Sequence, residues 1–390
     1  MREITLELEA VTPVFIAGAD QMSIENEGLR APSLRGAMRW WFRALSGGAK
    51  FSYGDLDLNS VMKEEERIWG TAEKRSKVSL NVVSRNLNIT TFQNVKKKGI
   101  RYLSYGSFNR PYIDLGSQFG IRILFRHIVS DEEKEKVIAT LWLLLNLGNV
   151  GSKSRKGFGG LRVTNNIKIS GIEFKNPSSL KELEEYLKKK LKECIRIFGW
   201  GGSTPMNKSL PQYPIIAPYY WKMKILDDTY NSAIDAINNI GEKIRKYRED
   251  RDNSSARHER PARKGIISYW VTRDYSSVKS IYTRGSPSTP PGSIFGLPHQ
   301  FQFQSINNKK AVVKGIEHDR RASPLYIKVW KLGNNRFAIG LQLFKSLFLP
   351  ENKLRISDLR NPQRKADVNL PSYSYLENFL NQLSGRWITL

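Results

Sequence analysis

Along residues 1–170 the chain alternates between two periods. ITLELEAV (4–11) sets apolar and polar side chains one by one, the pattern of a strand with one buried face. KVSLNVVSR (77–85) and FGIRILFRHI (119–128) repeat it, and GLRVTNNIKIS (160–170) reads as a further strand. Elsewhere the period lengthens. Over 33–45, Leu34, Ala37, Met38, Trp41 and Leu45 fall at helical i, i+3, i+4 spacing, and Pro32 and Ser33 mark the start. DEEKEKVIATLWLLLNL (131–147) is a second helix, with Ser130 as cap, acids in its first turn and Gly148 at its end. The order is β-α-β-β-α-β, the split ferredoxin-like arrangement, with 86–118 as a long insertion in its hairpin.

The remainder is less regular. SSLKELEEYLKKKLKECIRIF (178–198) reads as a helix opened by Ser179, with Glu182 completing a capping box. GWGGSTPMNKSLPQYPIIAP (199–218) is a linker or ordered loop. YYWKMKIL (219–226) is a strand and DDTYNSAIDAINNIGEKIRKY a helix, while REDRDNSSARHERPARK (248–264) is charged enough to predict a mobile surface loop. GIISYWVTR, FQFQSI, KAVVKGI, PLYIKVW and RFAIGLQLF supply strands, two pairs of them joined at NNKK and LGNN turns. SYLENFLNQL closes the chain as a short helix. Together these suggest a second, degenerate α+β domain.

Charge narrows the partner. The 390 residues are 40% hydrophobic, enough for a core, and carry 63 Lys plus Arg against 37 Asp plus Glu, a net charge of +26. Such a surplus in a globular chain points to a polyanion, nucleic acid first and an anionic membrane surface second. The densest apolar run, LWLLLNLGNVG, falls short of the about 20 residues that span a bilayer. With no signal-like N-terminus, a cytoplasmic location is expected. The single cysteine, Cys194, excludes an internal disulfide and a Cys-based zinc site, and its helical apolar position reads as core.

Two stretches combine charge with special geometry. Arg35, Arg39 and Arg43 recur every fourth residue, drift about 40° per step and so line one stripe of the first helix. Like charges at that spacing repel, so the stripe needs solvent or an anion along it. GNVGSKSRKGFGGLRV (148–163) sets glycines at 148, 151, 157, 159 and 160 around Lys153, Arg155 and Lys156. Glycines let a backbone approach phosphate and leave N–H groups to donate. No GKS or GKT follows at P-loop spacing, and the glycines lie between helix and strand, the reverse of a dinucleotide-binding turn. Phosphate contact at an exposed loop tip is expected, against the alternative of a flexible turn with incidental charge.

RAPSLRGAMRWWFRAL (30–45), TPVFIAGAD (12–20) and GSKSRKGFGGLRV together resemble the RAMP superfamily of CRISPR proteins, whose signature is the glycine-rich GSKSRKGFGG. The first two, with HDRRASPLYIKV (318–329), narrow the resemblance to the first-subunit family of the type III-B Cmr effector complex. It is dense over the first 170 residues and scattered beyond. It implies an α+β chain of two tandem ferredoxin-like (RRM-like, βαββαβ) domains, 1–170 with the glycine-rich loop and 171–390 degenerate, with helical and loop insertions. It also implies a non-catalytic, RNA-binding place in an antiviral RNA-guided complex, with CRISPR guide RNA, target single-stranded RNA and other RAMP subunits as partners and no cofactor. On that resemblance Arg35, Arg39 and Arg43 face an RNA groove. His318, Arg320 and Arg321 then contact RNA, where they would otherwise form a solvated hairpin loop.

Other features stay open. Arg284, in IYTRGSPSTPPGSIFGLP, either clamps RNA or connects strands. NVKKKGIRYLSYGSFNRPY (94–112) interleaves Lys96, Lys97, Lys98 and Arg101 with Tyr102, Tyr105 and Phe108, which suits a single strand or a subunit contact. Trp40, next to Trp41, reads as packing before it reads as a base platform. Among His127, His258, His299 and His318 there is no HxH or HxxxH pairing, and His127 reads as structural. DLDLN (55–59) lacks the glycine and glutamate of a calcium loop. A dispersed ribonuclease site obeys no spacing rule. Two alternatives therefore stand behind RNA binding: a RAMP-family endoribonuclease processing CRISPR RNA through His318 or His258, and a basic DNA- or ribosome-associated protein.

Overall fold

The computed structural model describes residues 2–18, 20, 22–24, 28–52, 55–92, 96–107, 109–200, 209–249, 274–283, 285–333 and 335–390. GIISYWVTR, nearly all of the charged 248–264 segment, His258, Phe108 and Arg284 lie outside the described residues.

Strand β1 (Glu3–Ala10) turns Ile4, Leu6 and Leu8 inward, as its alternation requires. Helix α1 (Ala31–Ala49) has Pro32 in its first turn, where a missing N–H costs nothing. Helix α2 (Leu58–Trp69) was not legible in the sequence: Asp57 of the DLDLN run caps it, accepting from Ser60 N–H at 2.9 Å. Then come β2 (Val78–Asn86), β3 (Gln118–Phe125), α3 (Asp131–Asn146) and β4 (Leu161–Val163). The four strands form one antiparallel sheet in the order β2-β3-β1-β4. Ile4 lies opposite Ile123, Leu6 opposite Ile121 and Leu8 opposite Phe119. These apolar rows join Leu34, Met38, Trp41 and Leu45 of α1 and Val137, Leu141 and Leu144 of α3 in one buried cluster. Ser130 and Glu133 cap α3 reciprocally, at 3.2 and 3.1 Å.

The strand expected over 160–170 is broken. After β4 the chain bends at Thr164 and Asn165, and Ile167–Ile169 pairs with Ile172–Phe174 instead. His127 is exposed beyond the end of β3, not structural within it. In the 86–118 insertion a short helix, Lys98–Leu103, approaches closely enough that a Cβ on Gly99 would stand 1.9 Å from the Asn238 carbonyl oxygen. Lys97 pairs with Asp235 there, so this insertion is packed against the chain's own helix.

Helix α4 (Leu180–Ile197) starts at Ser179, which accepts from Glu182 N–H at 3.2 Å, but the Glu182 carboxylate turns to Ser178, leaving the capping box open. Cys194 is fully buried on it, and burial pushes its thiol pKa up. The chain continues through β5 (Trp221–Tyr230), α5 (Ala233–Arg248), β6 (His299–Phe303), β7 (Lys309–Gly315), β8 (Leu325–Lys331), β9 (Phe337–Phe344), β10 (Lys353–Asp358), β11 (Lys365–Asn369), α6 (Ser374–Asn381) and β12 (Gly385–Ile388). Two further antiparallel sheets result, β8-β9-β5-β12 and β6-β7-β10-β11. Counted along the chain, β8-β9-β5-β12 repeats the second-third-first-fourth order of the β2-β3-β1-β4 sheet.

Compactness divides the chain into two units. One takes Met1–Glu242, Tyr326–Ser346 and Ser384–Leu390 and holds both of those sheets. The other takes Lys243–Leu325 and Leu347–Leu383 and holds β6-β7-β10-β11, whose inner face is covered by the short helix Tyr275–Lys279 through Tyr275 and Phe303, 5.1 Å apart. Among the described residues no helix is long and apolar enough to cross a membrane.

Candidate nucleic-acid interface

The glycine-rich loop leaves the C-terminus of α3 and is held by backbone from two other segments. Phe15 carbonyl accepts from Ser152 N–H at 2.8 Å, Pro13 carbonyl from Gly159 N–H at 2.8 Å, and Thr12 Oγ1 from Gly160 N–H at 2.7 Å. From the other side Ile327 N–H donates to the Arg155 carbonyl at 3.0 Å, and Asn149 Nδ2 reaches the Ile327 carbonyl at 2.9 Å. The glycines have specific reasons. Gly159, at φ +82°, has the Val150 carbonyl oxygen 1.8 Å from where a Cβ would sit. Gly148 makes room for the indole of Trp41, 2.2 Å from its missing Cβ.

The loop cations are half-buried rather than at an exposed tip. Lys153 adopts φ +60° and donates to the Tyr105 carbonyl at 2.6 Å; burial, and then the charge of Arg110, lower its pKa. Arg155 lies over the rings of Tyr326, 4.6 Å from the centroid, and Trp40, 5.8 Å away. Lys156 sits beside Ile327, to which its backbone bridges. Trp40 packs against Trp41, Tyr326 and Phe344 at centroid distances of 4.9, 5.1 and 5.5 Å. Lys153, Arg155, Lys156 and Trp40 thus come together, with segments of all four quoted motifs meeting at one loop.

The arginine stripe has a different neighbour. Arg39 Nε and Arg43 Nη1 both donate to one oxygen of Glu65 on α2, at 2.5 and 2.7 Å, and the Glu65 side chain is only 6% exposed. Repulsion between the arginines is thereby offset by an internal anion. Arg35 Nε is buried, with no acceptor among the described residues. The neighbouring Glu64 works the same way. Burial alone would raise its pKa, but Lys136, Lys50 and Ser46 bring it down to about 2.

In the second unit, Glu351 organises the HDRR segment. Burial is outweighed by hydrogen bonds from the backbone and from His318, which bring the Glu351 carboxyl to about 2. His318 Nδ1 lies 2.9 Å from it. Arg320 is exposed, while Arg321 is tied by its backbone to Leu297 and reaches the Leu347 carbonyl at 3.2 Å.

Sequence reasoning missed Lys328, Trp330 and Gln342, whose side chains donate to the carbonyls of Gly148, Asn146 and Leu147 at 2.6, 2.8 and 2.6 Å. A signal existed for the first: within LYIKVW, alternation puts Lys328 on the same face as Tyr326 and Trp330. Among the described residues no group of His, Cys, Asp and Glu could hold a metal ion.

Comparison with known proteins fits this convergence of motifs. Residues 7–162 match the RAMP superfamily. The CRISPR system Cmr subunit Cmr1-2 of Pyrococcus furiosus is 31% identical over 198 residues, which cover 42% of this chain and 96% of that protein. The chain belongs to the RAMP superfamily, in its Cmr1 branch. A second Cmr1 relative, Cmr1-1 of the same organism, is 26% identical over 365 residues, 88% of each chain. The apo crystal structure of Cmr1 from Pyrococcus furiosus shares the fold, with a TM-score of 0.61 at 20% identity over 99% of this chain and 98% of that one.

Proposed function

We propose that this Cmr1-branch chain is a non-catalytic RNA-binding subunit of a type III-B CRISPR RNA-guided interference complex in the cytoplasm. Guide and target RNA and other RAMP subunits are its partners, and its two tandem ferredoxin-like domains occupy 1–170 and 171–390. The repeated strand order of two sheets supports the domain description. The observation that carries the RNA reading is the loop itself: Lys153, Arg155 and Lys156 on a glycine-built backbone beside Trp40 and Tyr326, in a chain of net charge +26. Cations on a glycine-built backbone suit the phosphates of single-stranded RNA, and the packed rings of Trp40 and Tyr326 hold Arg155 in place among them. Titration of the protein with single-stranded RNA and duplex DNA in competition is the test. Preference for the duplex would overturn it in favour of a general basic DNA-associated protein.

One observation favours a second reading, an endoribonuclease. His318 is exposed and its Nδ1 faces a buried carboxylate, Glu351, the way an acid–base histidine is oriented. Incubation with labelled repeat RNA, with and without divalent metal, separates the two. Specific cuts that vanish in His318→Ala would replace the structural role with a catalytic one.

A further inference from the structure

The sheet of the second unit presents its outer face as a field of cations. Register places Lys310 and Lys314 of β7, Lys353 and Arg355 of β10, and Lys365 of β11 on the side opposite Phe303, Val313 and Ile356. Lys314 stands directly across from Arg355, a like-charged cross-strand pair that costs stability. Two carboxylates offset it: Asp319 takes Lys314 at 2.6 Å, and Asp367 takes Arg355 at 2.7 and 2.9 Å. Lys310, Lys353 and Lys365 are exposed, and no described carboxylate forms an ion pair with them. Adjacent strands lie about 4.8 Å apart and same-face residues about 6.6 Å apart along a strand. Lys314, Arg355, Lys353 and Lys365 therefore each have a cation within one cross-strand, along-strand or diagonal step, while Lys310 extends the row two same-face steps beyond Lys314, past Val312. Among the described residues of these four strands no aromatic side chain shares this face, which suits phosphates rather than bases.

We propose that this face is a second track for the phosphate backbone of single-stranded RNA, separate from the glycine-rich loop. It rests on the RNA-binding reading above and extends it from one contact site to two. Contacts of this kind are sequence-independent and salt-sensitive.

The test compares the full chain with its Lys310→Gln, Lys353→Gln, Lys365→Gln triple variant, on a short and a long oligouridylate. On the long RNA the variant's log affinity against log salt should flatten by about 2, roughly 0.7 for each lysine, while the short RNA responds less. Wild-type binding with an unchanged slope in a variant of unchanged melting temperature overturns this inference alone. Failure of the wild type to bind either RNA at low salt overturns the RNA-binding reading and this inference with it. Phosphatidylserine vesicles are the control for the other polyanion. Loss of vesicle binding in the variant with RNA binding intact assigns the face to a membrane and overturns the proposal. Bound RNA should also protect Lys310, Lys353 and Lys365 of the wild type from acetylation, and equal labelling with and without RNA counts against it.

Discussion

Lys328 donates to the carbonyl of Gly148 at 2.6 Å, tying the middle of β8 to the chain just beyond α3. Trp330 and Gln342 do the same for the two preceding carbonyls, of Asn146 and Leu147. The final carbonyls of a helix lack intrahelical donors and carry the negative end of its dipole. Here three in a row are met by side chains from β8 and β9. The glycine-rich loop begins at that point, so the sheet that caps the helix also sets where the loop departs.

This cap carries a pH signature. Burial lowers the pKa of Lys328 from 10.5 to about 7. In the unfolded chain the amine stays protonated up to its ordinary value, so between those limits the unfolded state binds more protons. Stability contributed through this group therefore rises with pH from about 7 to about 10.5 and is flat below. Lys328→Met removes that slope. Melts at neutral and mildly alkaline pH should show the variant losing ground to wild type at the higher pH; a constant gap would mean the amine is not shielded.

Glu65 reverses an expectation drawn from the arginine spacing. Repulsion alone predicts that single Arg→Gln changes on α1 leave stability unchanged or raised. With Arg39 and Arg43 sharing a buried carboxylate, Arg39→Gln should instead cost about 1–2 kcal/mol. Removing both should cost more, toward 3 kcal/mol, because a buried charge is left unpaired. Adding Glu65→Gln to the double variant should recover much of that loss, and a strictly additive triple variant would show the coupling absent.

Legibility followed the range of the interactions. The β-α-β-β-α-β order of the first sheet was readable because periodicity and the Ser130 cap are local. Helix α2 was not, since Asp57 looked like part of an acid cluster and Glu64 and Glu65 acquire meaning only against Lys136, Arg39 and Arg43 from other elements. The loop cations were legible as residues but not in their half-burial, which depends on Tyr326 and Ile327, far along the chain. Strands β10 and β11 escaped notice because they are five or six residues long and their outward Lys353, Arg355, Ser357, Lys365, Asp367 and Asn369 leave only a few inward apolar residues to mark the period.

Gly157 and Gly159 should respond unequally to alanine. Both have positive φ, +86° and +82°, which costs an L-residue about 1–2 kcal/mol. At Gly157 the added Cβ meets only side-chain atoms, of Ile327 at 3.1 Å and Ile237 at 3.6 Å, whereas at Gly159 it meets the Val150 carbonyl oxygen at 1.8 Å. Gly157→Ala should therefore lower the melting point by roughly that strain. Gly159→Ala should also break the Val150 N–H to Gly159 carbonyl bond, seen as faster amide exchange at Val150. Equal effects at the two positions would contradict the geometry.

The three loop cations should separate in the same way. Lys153 is committed to the Tyr105 carbonyl, and its positive φ means that Lys153→Gly relieves strain while removing a charge. Arg155 does two things at once, because a guanidinium over Tyr326 stabilises the loop by about 0.5–2 kcal/mol and also supplies charge. Arg155→Lys keeps the charge but loses the planar fit to the rings. If the charge is what RNA meets, that variant should melt lower yet keep the wild-type salt dependence, whereas Arg155→Ala should lose both and flatten the slope by about 0.7. Lys156→Ala should flatten the slope similarly with little change in melting. RNA titrations over a salt series, paired with melts of each variant, resolve these outcomes. An Arg155→Ala protein that melts early but binds RNA with the wild-type slope would make Arg155 a strut for Tyr326 and Trp40, and would move RNA contact off this residue.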